Sequence, residues 1–459
     1  MEAQALSAIS GRVKLTDGSY GPGTVWIEDG RVSTVTEGRP SASELDGRRV
    51  VDVGESFVLP GAVDAHVHCY SALEEGMAAA TRSAVAGGVT TIVEMPFDAD
   101  GPVNSLERLQ YKVDLIASEA VGDVALLGTL APGGGWQEAA VLAENGVVGF
   151  KLSLFHTDSF RFPRIDDAEL LDAFRAIADT GLTVCVHAEN NEIVQKLSAE
   201  MAQADPLDPL THVRTRPPVS ETLGVLTALE IAHTQGTKLH LCHMSVPRAI
   251  DLAARFRAEG TDVTAETCTH YLTFTADDMA TQHARLKINP PLRSADDVEG
   301  MWQRVASGDI HLLTSDHAPW PLSRKSDPEI LKNASGAPGV ELLPTMCLGE
   351  ALSRDPAAEG LFDRVVTALT SAPADRYGFG HRKGRLEPGH DADVMVFTPD
   401  PDFVVAAADQ HSNAGWTPYE GRRPGGRVTL ALSRGEVVWD AATGEVADPG
   451  RGRWVRPGD

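Results

Sequence analysis

The sequence predicts an α/β protein: a closed (β/α)8 barrel of the TIM type, with a small β-sandwich assembled from both ends of the chain. Eight short apolar runs recur between residues 61 and 316, and helical patterns separate several of them. Segments of matching β character stand before and after that region. The change of rhythm sets the expected boundaries, with residues 1–56 and 386–459 in the β unit and residues 57–385 in the barrel.

In order along the chain, residues 24–28 and 31–35 flank Asp29-Gly30, a dipeptide suited to a tight hairpin turn. Residues 50–53 read as a further strand. At the far end, residues 391–397, 428–432 and 435–439 repeat this character, so one sandwich draws on both. The barrel strands are expected at 61–68, 90–95, 124–130, 147–151, 182–187, 238–243, 262–267 and 310–316. A helix is expected over 104–120, where Leu106, Leu109, Val113 and Ile116 recur at helical spacing and Asn104 with Glu107 fits a capping arrangement. A doubly wound open sheet is the alternative, because the long connection over 188–237 has room for a change of direction.

Composition excludes several classes. The formal charge of −25, without clusters of Lys and Arg, argues against a nucleic-acid partner. Five scattered cysteines with no Cys-x-x-Cys pair exclude a disulfide framework and read as buried thiols of a reducing cytoplasm. Met1-Glu2-Ala3-Gln4-Ala5 lacks the basic and apolar parts of a secretory signal, and no apolar run is long enough to span a membrane.

The chemistry is expected at the C-terminal ends of the barrel strands. The first candidate strand ends in His66 and His68, which share one face because side chains alternate along a strand. The fourth ends at Lys151, the fifth at His187, the sixth at His243 and the eighth at Asp316. Each alone has a duller explanation: a packed histidine, a helix cap, a lysine reaching for solvent. Together, four histidines and an aspartate on one rim make a metal site, with donors that suit zinc, or else manganese, iron or cobalt. A protonated Lys151 would repel such ions. A carbamate formed on it with carbon dioxide carries negative charge and two oxygens, enough to bridge two metals.

The chain resembles the amidohydrolase superfamily, and within it the cyclic-amidase branch of allantoinases, hydantoinases, dihydropyrimidinases and dihydroorotases. The resemblance rests on residues 61–68, Ala86-Gly87-Gly88-Val89-Thr90-Thr91, Gly149-Phe150-Lys151, Val186-His187-Ala188-Glu189-Asn190, residues 239–245 and 266–271, Lys287-Ile288-Asn289-Pro290-Pro291-Leu292-Arg293, Ser315-Asp316-His317-Ala318-Pro319, residues 384–393 and Thr417-Pro418-Tyr419-Glu420-Gly421. It implies two divalent ions, one held by His66, His68 and Asp316, the other by His187 and His243, with carboxylated Lys151 between them. A bridging hydroxide would attack the carbonyl of a small cyclic amide, and Asp316 would pass its proton to the leaving nitrogen. Asn289 would contact the ring amide, and Ala337 and Gly339 would offer backbone groups to the substrate. His156 stands where D-selective hydantoinases carry an oxyanion-stabilising tyrosine, with a plain loop histidine as the alternative.

Dihydroorotases usually place a carboxylate-clamping arginine two positions after His-x-His; here that position is Tyr70. The neighbourhoods of 300–302 and 308–310 are closest to allantoinases, and Glu189-Asn190-Asn191-Glu192 is similar to L-selective hydantoinases. Dihydroorotase or dihydropyrimidinase activity is the alternative. So is a non-enzymatic scaffold, although such relatives lack some ligands and this chain keeps all six. Family habit implies a homotetramer or homodimer.

Overall fold

The structure, a computed structural model, describes residues 5–458; residues 1–4, which belong to the stretch read as free of a secretory signal, lie outside them. Four strands open the fold: β1 Ala8–Lys14, β2 Tyr20–Glu28, β3 Arg31–Glu37 and β4 Val50–Pro60. The expected hairpin joins β2 to β3, with Asp29 and Gly30 at φ of 49° and 76°. Positive φ at both central residues gives the turn a twist that matches the strands it connects.

The barrel follows as β5 Ala62–Val67, β6 Val89–Glu94, β7 Asp123–Gly128, β8 Gly149–Ser153, β9 Thr183–His187, β10 Lys238–Leu241, β11 Val263–Cys268 and β12 Leu312–Thr314. These eight parallel strands neighbour one another in chain order. The ring is closed between its first and last members. His68 donates its backbone N–H to His317 O at 2.9 Å, and Ser315 N–H reaches Asp64 Oδ1 at 3.2 Å. The open-sheet alternative is therefore set aside. The connection over 188–237 holds three helices, Asn191–Ala204, Thr211–Thr215 and Pro218–Gln235, after which β10 pairs parallel with β9.

Alternation along the strands sorts the apolar side chains into two layers. Phe150, Leu152, Val184, Val186, Leu239 and Leu241 face outward to the helices, whereas Val93, Ala125, Leu127, Cys185 and Cys242 share an inner cluster with Tyr377 and Phe379. β5 carries one extra residue relative to β6 between Asp64 and Val67, a bulge that bends its end. The helix Leu106–Glu119 starts one residue later than the expected cap: Ser105, with extended backbone, accepts from Arg108 N–H at 3.3 Å. Ser105 rather than Asn104 is the cap, because its hydroxyl is the one that reaches the orphan N–H groups of the first turn.

The remaining strands are β13 Val394–Pro399, β14 Gly426–Ser433, β15 Glu436–Asp440, β16 Glu445–Val446 and β17 Trp454–Val455. A single sheet runs β16-β15-β14-β13-β4-β1-β2-β3, and all its pairs are antiparallel except β1 with β4. It folds over on itself: Ile9, Val25, Ile27 and Val32 pack in one cluster with Val394, Val396, Leu430 and Leu432. Ala392 N–H also donates to Gly30 O at 2.9 Å. β4 continues to Pro60, past the boundary expected at residue 56, because residues 57–60 pair with β13. At the other end, β17 leaves the sheet and pairs with β7 of the barrel. All five cysteines are free and buried, and among the described residues no helix is long and apolar enough to cross a membrane.

Candidate active site

At the C-terminal end of the barrel, the strand ends surround a small cavity of about 90 Å³. His66, His68, Lys151, His187, His243, Asn289 and Asp316 all line it, together with Arg161, Phe162 and Trp320 from the loops. The bulge in β5 lets His66 face this cavity although its neighbour Ala65 also packs inside the barrel. Asp316 Oδ1 lies 3.4 Å from Nε2 of both His66 and His68. Across the cavity, His187 Nδ1 and His243 Nε2 are 3.0 Å apart. His243 and Asp316 are held at φ of 45° and 46°, in the left-handed region that side-chain-bearing residues seldom occupy. Such strain gathers where a side chain must be aimed at a site.

The electrostatics fit cation ligation. Burial lowers the pKa of His68 to about 4, and it lowers His187 and His243 as well, so these rings are neutral with lone pairs to offer. Asp316 would be raised by burial, but His66 and His68 outweigh that and hold it at about 2, as a carboxylate. Lys151 Nζ is buried without a hydrogen-bond partner. Burial favours its neutral form, yet the nearby Cys242 and Glu266 move its pKa upward. An orphaned ammonium among ring nitrogens is an unstable arrangement, and the donor set is the kind that binds divalent metal.

Two carboxylates behind the rim went unassigned in the sequence. Glu266, fully buried on β11, takes His66 Nδ1 at 2.5 Å and His243 N–H at 3.0 Å on one oxygen, and His240 Nε2 at 3.0 Å on the other. His66 and His240 keep its pKa low in spite of burial. Glu189 Oε2 meets His187 Nε2 at 2.8 Å and is paired with Arg216. Such partners fix the ring orientation and tautomer of a ligating histidine. The signal was a charged glutamate in an otherwise uncharged strand and another two residues beyond His187.

Three sequence-predicted contacts fall elsewhere. His156 is exposed, and its backbone N–H donates to Asn191 Oδ1 at 3.2 Å; the cavity wall there is made by Thr157, Arg161 and Phe162. Ala337 O accepts from Ala318 N–H at 3.0 Å, and Gly339 N–H donates to His317 Nδ1 at 3.1 Å. Both therefore brace the strand-eight loop, and Ser335 and Gly336 take the place in the wall expected for them. A separate acidic trio, Asp123, Asp391 and Asp393, already encloses a cation: Lys383 Nζ reaches them at 2.5, 2.8 and 2.8 Å.

Comparison with known proteins agrees with this geometry. The chain is 35% identical over 441 residues to an allantoinase of Rubrobacter xylanophilus, with 94% of each chain covered. It is 32% identical over 437 residues to an allantoinase of Enterococcus faecalis, covering 92% of this chain and 95% of that one. Among solved structures, the L-hydantoinase (dihydropyrimidinase) of Arthrobacter aurescens superposes with a TM-score of 0.92 at 30% identity, over 99% of this chain and 100% of that one. Residues 57–438 match the amidohydrolase family, so the barrel, its rim of histidines and the sheet closing on both ends place this chain in that family, within its cyclic-amidase branch.

Proposed function

We propose that the protein opens the ring of a cyclic ureide by hydrolysis, with allantoin or a 5-substituted hydantoin as substrate. The observation that carries this reading is the convergence of His66, His68, Lys151, His187, His243 and Asp316 on one cavity. The names of the relatives point to the same bond class. His66, His68 and Asp316 would hold one divalent cation and His187 and His243 the other, with Lys151, as a carbamate, serving both; zinc suits these donors best. Bound there, the cations supply a hydroxide nucleophile at neutral pH and polarise the scissile carbonyl.

The chain's own groups do the rest. Asp316, a carboxylate across the neutral range, accepts a proton from the nucleophile and returns it to the departing ring nitrogen. Asn289 lines the cavity, its buried Oδ1 has no hydrogen-bond partner, and that oxygen is the acceptor for a ring N–H of the substrate. Phe162, stacked on Phe97 with centroids 3.6 Å apart, and Trp320 wall the site against water. Glu266 and Glu189 keep His66 and His187 aimed. We further place the enzyme in the cytoplasm, as a homotetramer or homodimer, following family habit and the five reduced thiols.

Dihydroorotate is disfavoured. Tyr70, at the clamp position, is buried with its hydroxyl directed to Glu119 Oε2 at 3.3 Å, and it does not line the cavity. The test is a substrate panel on metal-analysed protein, comparing allantoin, 5-substituted hydantoins, dihydrouracil and dihydroorotate. Turnover confined to the first two is expected; turnover of none, with metal bound, would remove the reading.

A further inference from the structure

Arg161 is a cation in the cavity wall that the ring-opening chemistry leaves unused. The loop after β8 turns back sharply, because Asp158 Oδ1 accepts from the backbone N–H groups of Phe160 and Arg161, each at 2.9 Å. That turn places both Arg161 and Phe162 in the wall. The guanidinium lies 5.2 Å from the ring centroid of Trp320, which Arg324 approaches at 5.1 Å. Trp320 is itself pinned by its Nε1–H on Ser335 O at 2.8 Å. Arg161 Nη1 donates to Ser71 O at 3.2 Å. Among the described residues no carboxylate lies within 4.0 Å of this guanidinium, and burial lowers its pKa. Arginine keeps its charge regardless, with five N–H donors in a planar fork. A half-buried cation with donors to spare, acted on by Asp158 and Asp98 only from beyond ion-pair distance, is costly unless a ligand completes it.

The other charged or ring-nitrogen groups of the cavity are committed, the histidines, Lys151 and Asp316 to the reacting amide, and Asn289 is given to the ring; Ser71, Thr157 and Ser335 add only neutral hydroxyls, which leaves Arg161 as the cationic donor. We infer that Arg161 is a specificity-determining residue that receives the ring substituent, and that this substituent ends in a planar oxygen acceptor, either a ureido carbonyl or a carboxylate. The inference rests on the ring-opening reading and narrows it. Plain alkyl substituents leave the guanidinium unpaired and are the poorer substrates.

The test measures kcat/KM of the metal-loaded wild type and of Arg161→Met and Arg161→Lys on allantoin, hydantoin-5-acetic acid and 5-propylhydantoin. Wild type should favour one of the two acceptor-bearing substrates over 5-propylhydantoin at least tenfold; allantoin identifies the ureido source, hydantoin-5-acetic acid the carboxylate source. In Arg161→Met that preference should fall about 10- to 100-fold, the range for a hydrogen bond to a charged group, and Arg161→Lys should restore part of it. Loss shared equally by all three substrates means a structural role and overturns the inference. Should Arg161→Met fail to fold, the wild-type preference decides alone, and its absence overturns the inference while ring opening stands. If wild type opens none of the three rings, the ring-opening reading fails first and this inference falls with it.

Discussion

Replacing Glu266 by Gln separates orientation of the metal site from its ligands. The carboxylate is fully buried and serves three partners: His66 Nδ1, the backbone N–H of His243 and His240 Nε2. The amide keeps the volume and one acceptor oxygen, so it still receives His66 Nδ1–H and His243 N–H. Its NH2 then faces His240, whose other nitrogen sits 2.8 Å from Thr264 Oγ1 and allows the tautomer to change. What is lost is the negative charge that, on the proposed assignment, would make His66 a stronger ligand. Removing such a partner costs about 10- to 100-fold in metal affinity, or about 1.4–2.7 kcal/mol at ~1.36 kcal/mol per tenfold. Competition for zinc against a chromogenic chelator gives the affinity, and kcat/KM at saturating zinc shows whether the residual site still works. Wild-type affinity together with wild-type kcat/KM would refute the role assigned to this carboxylate.

Lys151→Ala should abolish turnover and lower the bound metal per chain, read by elemental analysis; full activity would rule out the bridging role. Lys383→Met strips the cation from three buried carboxylates, and removal of one partner from such a network costs about 3–5 kcal/mol in denaturant unfolding. Asp123 supplies the pH test. Burial would raise its pKa, but Lys383 and Arg434 hold it at about 2 against an ordinary 3.8, so its contribution is present above the ordinary value and lost as pH falls through about 2. The stability gap between wild type and Asp123→Asn should therefore be constant above about pH 4 and narrow below it. A gap that widens on acidification would contradict the pairing.

The strands of the barrel were readable because burial on both faces writes parallel strands as continuous apolar runs, as in Val124-Ala125-Leu126-Leu127 and Val184-Cys185-Val186. The residues that line the cavity from the strand ends were readable for a related reason: a polar residue at the end of such a run has few places to go but the rim. His156 and Arg161 show the limit. Which residue of that loop enters the cavity depends on the turn that Asp158 closes with its side chain, and no periodicity encodes it. Ala337 and Gly339 are engaged elsewhere, the carbonyl of Ala337 by Ala318 N–H and the N–H of Gly339 by His317 Nδ1, pairings that span some twenty residues and that no local pattern encodes. Glu266 was visible as an odd residue in β11, but its partners come from β5 and β10.

The sheet shared by both chain ends has a consequence for biosynthesis. β4 completes its pairing only when β13 arrives, and Pro60 precedes Val394 by some 330 residues. At ~5–20 residues per second the ribosome needs about 17–70 s to supply that partner. Throughout this interval Phe57, Val58 and Leu59 offer a bare, apolar strand margin to any neighbouring chain. Nascent chains arrested at residue 385 should accordingly recruit holdase chaperones or precipitate, and yield in a heterologous host should rise when synthesis is slowed by cold.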